Sequence, residues 1–316
     1  MAKKSFKDWV IATRPWSFPA SSMPVVVTMA YIFYMSKSVG TEVIIGMKDF
    51  VSEGINWTNG WIALAMMIVF QAAGNLVSDY SDHVKGVDRP GSLNGVRHIQ
   101  SGKFTPKEVL NFGLILTGVA ALLGLLLLSR SSFSLFWFGL LGISLLLFYP
   151  KLKANALGDV DILLCYALIP SLGTSYVLTG TYHFEVMLLS LTYGLLIVAI
   201  LHANNTRDIL NDRGANLTTL CGLIGGKISK YIYLAEVMIP YILIVIFVAV
   251  GWLPWIVLFV FVTLPIAIKN ISVMMKARPE NEEDIATLDK STAGMELLFS
   301  LLLSALLVIA GVMLKN

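Results

Sequence analysis

The residues able to do chemistry fall into two polar bursts of an otherwise apolar chain. The first, Gln71 to Gly102, reads QAAGNLVSDYSDHVKGVDRPGSLNGVRHIQSG, and Asn75, Asp79 and Asp82 stand in it at i, i+4 and i+7. That spacing puts all three on one helical face. Lys85, Asp88, Arg89 and Arg97 follow. The second burst, His202 to Gly214, reads HANNTRDILNDRG; there Asn204, Asp208 and Asp212 stand at i, i+4 and i+8, again one face. Carboxylates gathered this closely repel one another unless a cation lies between them. Mg²⁺ takes oxygen ligands and binds through one or two carboxylates plus substrate phosphates. Asn75, Asn204 and Asn205 add neutral oxygens, and Lys85, Arg97, Arg207 and Arg213 could hold phosphate oxygens that the metal leaves free. Together they make a cradle for a diphosphate carried on Mg²⁺, with Asp79, Asp82, Asp208 and Asp212 as the reacting centre's carboxylates.

Two other readings compete. A single DxxD or DxxxD at a helix end is ordinarily a solvated loop, but two at corresponding places, each with Asn and Arg, are harder to assign so. Carboxylates inside spans also mark ion pathways. These acids instead gather at one boundary, which suits an anionic head group. Arg14, at the start of the first apolar segment, is either an interfacial anchor beside Trp9 and Trp16 or a cavity-facing cation. Lys153, on the loop Tyr149 to Asp159, is a further cationic candidate. His83 and His202 adjoin the motifs, but no metal-ligand histidine spacing exists, and both are read as bystanders.

The elements that must position these residues are membrane helices. The chain has 316 residues, is 56% hydrophobic and 14% charged, and has a mean hydropathy of +0.76; soluble domains carry about 25% charged residues. A net charge of +3 is too small to imply nucleic acid as a partner. A span needs about 20 apolar residues. Nine segments qualify, at 16–37, 58–80, 107–129, 132–150, 157–179, 184–206, 228–250, 252–270 and 290–314. They predict one all-α, polytopic bundle over 1–316, a single transmembrane domain. Sheet is not expected, because the alternating pattern of a closed barrel is absent. The fifth segment is the least apolar, with Asp159, Asp161 and Pro170. The third, fourth, seventh, eighth and ninth carry few polar residues and are read as lipid-facing by default. The basic N-terminus runs into a full span, read as a retained first helix. With the N-terminus placed in the cytoplasm, 19 of the 23 Lys and Arg residues fall on inner segments. This positive-inside bias puts both aspartate bursts on the cytoplasmic side.

These residues carry a resemblance. WVIATRPWSFPASSMP (Trp9 to Pro24), NLVSDYSDHVKGVD (Asn75 to Asp88), YPKLKANALG (Tyr149 to Gly158), Gly173-Thr174 with Gly180, and NNTRDILNDR (Asn204 to Arg213) together resemble the UbiA superfamily of intramembrane aromatic prenyltransferases, and within it the menaquinone branch. The resemblance implies nine helices around a cavity open to lipid. It implies Mg²⁺ and the diphosphate of a polyprenyl donor held by Asp79, Asp82 and Asp88, with Asn75 a turn earlier, and by Asp208 and Asp212. It also implies attack by 1,4-dihydroxy-2-naphthoate on the allylic carbon, with loss of CO₂ and diphosphate, to give a demethylmenaquinone. Other members use other aromatic acceptors, such as 4-hydroxybenzoate or homogentisate. The sequence departs from the common NDxxDxxxD motif at Ser78 and Gly86, has Asn216-Leu217-Thr218-Thr219-Leu220 where relatives often carry Gly-Lys-x-Thr-Leu, and has Asp159 where Glu is frequent. A transporter without chemistry would instead need polar residues deep in several spans.

Overall fold

The computed structural model describes residues 4–38, 54–84, 99–214, 217–278 and 281–314. Among them the chain is helical and contains no strand; one isolated bridge joins Asn155 to Thr218. The helices are α1 (Phe6–Ala12), α2 (Phe18–Ser38), α3 (Trp57–Val84), α4 (Pro106–Arg130), α5 (Ser134–Lys153), α6 (Gly158–Leu163), α7 (Ile169–Thr179), α8 (Phe184–Arg207), α9 (Ile209–Gly214), α10 (Leu220–Ala249), α11 (Leu264–Lys276) and α12 (Leu288–Met313). Counting the turns continuous with them, eight helical stretches among the described residues are long and apolar enough to cross a membrane: Pro15–Ser38, Trp57–Ser81, Pro106–Arg130, Gly158–Thr179, Phe184–Arg207, Leu220–Ala249, Trp255–Lys276 and Glu282–Met313. The segment expected at 132–150 is α5, whose described apolar run, Ser134–Leu145, is shorter than a full crossing.

The helix starts follow local chemistry. Ser5 caps α1 by accepting from the Asp8 amide at 3.3 Å while Asp8 accepts from the Ser5 amide at 2.9 Å, a reciprocal capping box. Thr105 and Glu108 repeat it at α4, with Pro106 in the first turn, where its missing N–H is no loss. Thr219 caps α10 through the Gly222 amide at 3.2 Å.

Three spans depart from regular α geometry: Trp255–Lys276 begins as a 3₁₀ stretch, Trp255–Thr263, before α11, and two others are interrupted within. The least apolar span passes from α6 through a π-helical turn, Leu164–Leu168, into α7. Pro170 lies just beyond that turn and brings no N–H, so the hydrogen-bond ladder must re-register near it. In α10 the backbone leaves helical geometry at Gly225, φ 77° and ψ 158°, a conformation open to glycine alone.

The core lies where α8 meets α2, α10 and α12. Tyr193, Leu196 and Ala199 of α8, Ile32 and Met35 of α2, Tyr233 and Val237 of α10, and Phe299 and Leu303 of α12 are buried there. Lipid is as apolar as leucine, so close packing and interhelical hydrogen bonds must hold the bundle. Ser171 and Tyr193, Tyr233 and Thr292, and Tyr241 and Thr263 each pair at 2.7 Å; such bonds contribute about 0.6 kcal/mol each in membranes. Helices α4 and α5 present Ile115, Leu122, Trp137 and Leu140 outward, as expected for lipid-facing helices. Helices α10 and α12 do not fit that expectation: α10 buries Tyr233, Val237 and Tyr241, and α12 is two-sided. One side exposes Val308 and Val312, and the other is buried against α2 and α8.

Candidate active site

The first motif is organised by the turn between α1 and α2. Arg14 adopts a left-handed conformation, φ 54° and ψ 62°, directly before Pro15. A non-glycine residue there is strained and needs support. The Arg14 carbonyl accepts from both the amide and the hydroxyl of Ser17, each at 2.9 Å. Asn75 of α3 donates to the Thr13 carbonyl and to Ser17 Oγ, each at 2.8 Å, and its own amide oxygen accepts from Gln71 at 3.1 Å. The turn is thereby fastened to α3, and the Arg14 guanidinium forms an ion pair with Asp79, a buried carboxylate. Asn75, expected to offer an oxygen to a ligand, is engaged in holding this turn. Asp82 lies on the last turn of α3; its side chain, and Lys85, Asp88 and Arg97, lie outside the described residues.

The second motif forms where α8 ends. Asp208 leaves helical geometry at φ −91° and ψ 11°, and the chain re-enters a helix as α9. This break places Asn205, Asp208 and Asp212 together in a buried corner, each no more than 9% exposed. Arg207 grips Asp208 with two nitrogens, at 2.9 and 3.1 Å, reaches Asp289 of α12 at 3.0 Å, and bonds the Asn204 amide oxygen. Expected to meet phosphate, Arg207 instead has its guanidinium committed to these three neighbours. Arg213 is exposed and approaches the Gly222 carbonyl at 3.4 Å.

The loops after α5 and α9 are tied together by the Ala156 amide donating to the Thr218 carbonyl at 3.0 Å, beside the Asn155–Thr218 bridge. This brings Lys153 into electrostatic range of Asp212. Burial pushes the Asp212 carboxyl above the ordinary aspartate range, Lys153 opposing and Asp208 reinforcing the shift.

The residues fit a divalent cation. Asp212 Oδ2 and Asn205 Oδ1 are buried oxygens with no hydrogen-bond partner among the described residues. Leaving such atoms unsatisfied is unfavourable by about 1–3 kcal/mol each. All the donors are hard oxygens, as Mg²⁺ prefers. Asp208 and Asp212 would hold the ion, with Asn205 beside them.

Three residues that the sequence reading left out of the site connect the motifs. Tyr166 neighbours both Gln71 of α3 and Asp161. Tyr149 lies within electrostatic range of Asp161, Asp159 and Asp212. Asp161 is 3% exposed, and its Oδ1 has no partner among the described residues. An aspartate within an apolar span is unfavourable enough to mark function, and that signal was present in the sequence. His202 is also no bystander. It is fully buried and bonded to Asp159 and to Ser229. His83 is exposed on the last turn of α3.

Apolar helices that carry carboxylate motifs at their ends, beside arginine and lysine, define a helical membrane protein with a buried, carboxylate-rich polar site. The chain belongs to the UbiA prenyltransferase family, whose profile matches residues 50–290. It is 31% identical over 243 residues to UbiA prenyltransferase domain-containing protein 1 of Danio rerio, covering 74% of this chain and 66% of that protein. The Drosophila melanogaster homolog is 30% identical over 304 residues, covering 94% of this chain and 78% of its own. The chain thus spans just under two thirds of the zebrafish relative's length. A UbiA homolog from Aeropyrum pernix K1 superposes with a TM-score of 0.64 at 14% identity, over 91% of this chain and 97% of that one. A homolog from Archaeoglobus fulgidus bound to GPP and Mg²⁺ gives 0.57 at 12% identity, over 94% and 99%. These two likenesses establish the fold.

Proposed function

We propose that this chain is a Mg²⁺-dependent, multi-pass enzyme of the cell membrane. It moves a polyprenyl group from polyprenyl diphosphate to 1,4-dihydroxy-2-naphthoate, as in menaquinone biosynthesis. The observation that carries the reading is the buried corner of Asn205, Asp208 and Asp212, with its unsatisfied oxygens and Lys153 alongside. The Archaeoglobus homolog bound to GPP and Mg²⁺ supports the donor class. On this reading 1–316 is one transmembrane domain of nine crossings, its N-terminus and active site on the cytoplasmic side.

Bound Mg²⁺ supplies charge stabilisation for the departing diphosphate. Asp79, Asp82 and Asp88 of the first motif and Asp208 and Asp212 of the second would hold it. Arg14, Lys85, Arg97, Lys153 and Arg213 gather the phosphate oxygens, Asn205 stands beside the second motif's carboxylates, and Asn75, Asn204 and Arg207 keep the carboxylates and turns in place. The allylic C–O bond breaks and its electrons leave with the diphosphate. The ring carbon bearing the carboxylate then bonds to the prenyl carbon, and CO₂ departs, leaving the ring at the quinol level of demethylmenaquinone. The apolar bundle excludes water, which would otherwise capture an electron-poor prenyl group.

The test is an assay of membranes carrying the protein, given a polyprenyl diphosphate and 1,4-dihydroxy-2-naphthoate, 4-hydroxybenzoate or homogentisate in turn. Prenylated naphthoquinol with release of CO₂ is expected from the first. A product from another acceptor alone would overturn the acceptor, and no transfer to any of the three would overturn the enzyme reading.

A further inference from the structure

Behind the second motif, around His202 two residues before Asn204, lies a separate cluster. Asp159 of α6, His202 of α8 and Glu236 of α10 present one ligand atom each, all within 4.8 Å of one another. His202 Nδ1 stands 3.2 Å from Asp159 Oδ2 and 3.3 Å from Glu236 Oε1. His202 Nε2 stands 2.8 Å from Ser229 Oγ and 3.1 Å from the Ser229 carbonyl oxygen. A carbonyl can only accept, so Nε2 carries the hydrogen of that bond. In a neutral ring Nδ1 then has a lone pair, and here it faces two carboxylate oxygens.

Nδ1 and the two carboxylates need a proton or a metal ion between them. A second proton would serve one carboxylate, but both oxygens lie at distances longer than the 2.7–2.9 Å or so of a charge-assisted N–H···O bond. It would also leave two carboxylates against one imidazolium. Their other oxygens, Asp159 Oδ1 and Glu236 Oε2, have no partner among the described residues, and each residue is only 7% exposed. Burying such an excess of negative charge is strongly unfavourable. A divalent ion neutralises the cluster. A tetrahedral ion with bonds of about 2.0–2.2 Å holds its ligands about 3.3–3.6 Å apart, close to the 3.2 and 3.3 Å from Nδ1 to the two carboxylates, which themselves lie within 4.8 Å of each other. The Nε2–Ser229 bond is the outer contact by which a metal-bound imidazole is normally oriented.

We propose that Asp159, His202 and Glu236 form a binding site for one divalent transition-metal ion, distinct from the aspartate motifs. Two carboxylates with one imidazole suit zinc. The ion would fasten α6, α8 and α10 together, and with them the start of the Asn204–Asp212 corner. Thr206, on the next turn, also bonds Ser229 Oγ, so the same serine links the cluster to that corner. The site is a structural rivet and stands independently of the prenyl-transfer reading.

The experiment uses the full-length protein purified in detergent, stripped with a chelator, and dialysed against limiting ZnCl₂ in excess Mg²⁺. Bound zinc is measured by elemental analysis, and the Co²⁺-substituted protein by its visible absorption. One zinc per chain is expected for the wild type and for the Asp208→Asn, Asp212→Asn double variant, with the intense spectrum of four-coordinate Co²⁺. Glu236→Gln and Asp159→Asn are each expected to lose at least about tenfold in zinc affinity. A wild-type protein that takes up no zinc overturns the proposal. So does zinc that disappears with Asp208 and Asp212, or that survives in both Glu236→Gln and Asp159→Asn. If one of these variants fails to fold, the other and the wild-type Co²⁺ spectrum decide.

Discussion

At the residue scale, Asp212 carries the most informative titration. Burial raises its carboxyl above the ordinary range. A carboxyl whose folded pKa is raised makes the charged form a liability, so the fold is weakened as pH rises through that value and relieved as pH falls through it. Without metal, Asp212→Asn is therefore expected to melt higher than the wild type at neutral pH, and the gap should close on acidification toward the ordinary aspartate range. Added Mg²⁺ should raise the wild-type melting temperature and leave the variant nearly unmoved. Thermal unfolding in detergent, with and without Mg²⁺, checks both; a variant that is less stable than metal-free wild type at neutral pH would contradict the assignment. Local spacing made Asp79, Asp208 and Asp212 readable as candidates in sequence, because a separation of four residues is itself a helical-face statement. The pairing of Arg14 with Asp79 was not readable, since it joins residues 65 apart through a strained turn. Nor was the commitment of Arg207 to Asp289, which depends on how α12 packs beside α8.

At the element scale, the long apolar runs translated directly into helices, because a span must satisfy its backbone internally. Their interruptions translated less well. Pro170 announced irregularity in the fifth span, yet the π-helical turn precedes it, at Leu164–Leu168. Packing against α8 explains why this turn must be held closely. A Cβ added at Gly194 of α8 would stand 2.5 Å from Ala167 Cβ and 3.0 Å from Leu163 Cδ1. The Ala167 atom is itself a Cβ, so only backbone movement can relieve the clash. Gly194→Ala is expected to destabilise the protein by about 1–3 kcal/mol, the usual cost of overpacking. It should also lower activity, because α6 carries Asp159 and Asp161 toward the site. Gly173→Ala, in open space on α7, is the control and should melt like the wild type; equal melting of Gly194→Ala and wild type would mean the two helices are not in close contact.

At the scale of the whole molecule, two expectations depend on how the bundle sits and closes. On the proposed topology the positive-inside distribution would put the N-terminus in the cytoplasm, and nine crossings would put the C-terminus outside. A reporter fused after Asn316 should then be active only if it functions outside the cytoplasm; a cytoplasmic signal would remove the ninth crossing, for which α5 is the shortest candidate. The second expectation concerns the two motifs. Asp79 is held by the α1–α2 turn and Asp208 by the α8–α9 break, and between them run Gln71, Tyr166, Asp161, Tyr149 and Asp212 in successive proximity. If one diphosphate needs both motifs, losing either removes the same transition-state stabilisation. Asp79→Asn and Asp208→Asn should each cost at least about 10²-fold in turnover, as when one charge-stabilising group is lost. The double variant should be scarcely slower than the slower single, as for groups that act as a unit. Motifs that serve separate ligands would instead add their costs in free energy, and the double variant would be slower by the product of the two factors. Prenyl transfer in membranes with matched expression measures this, and additive losses would mean that the first motif holds something other than the donor bound at Asp208 and Asp212.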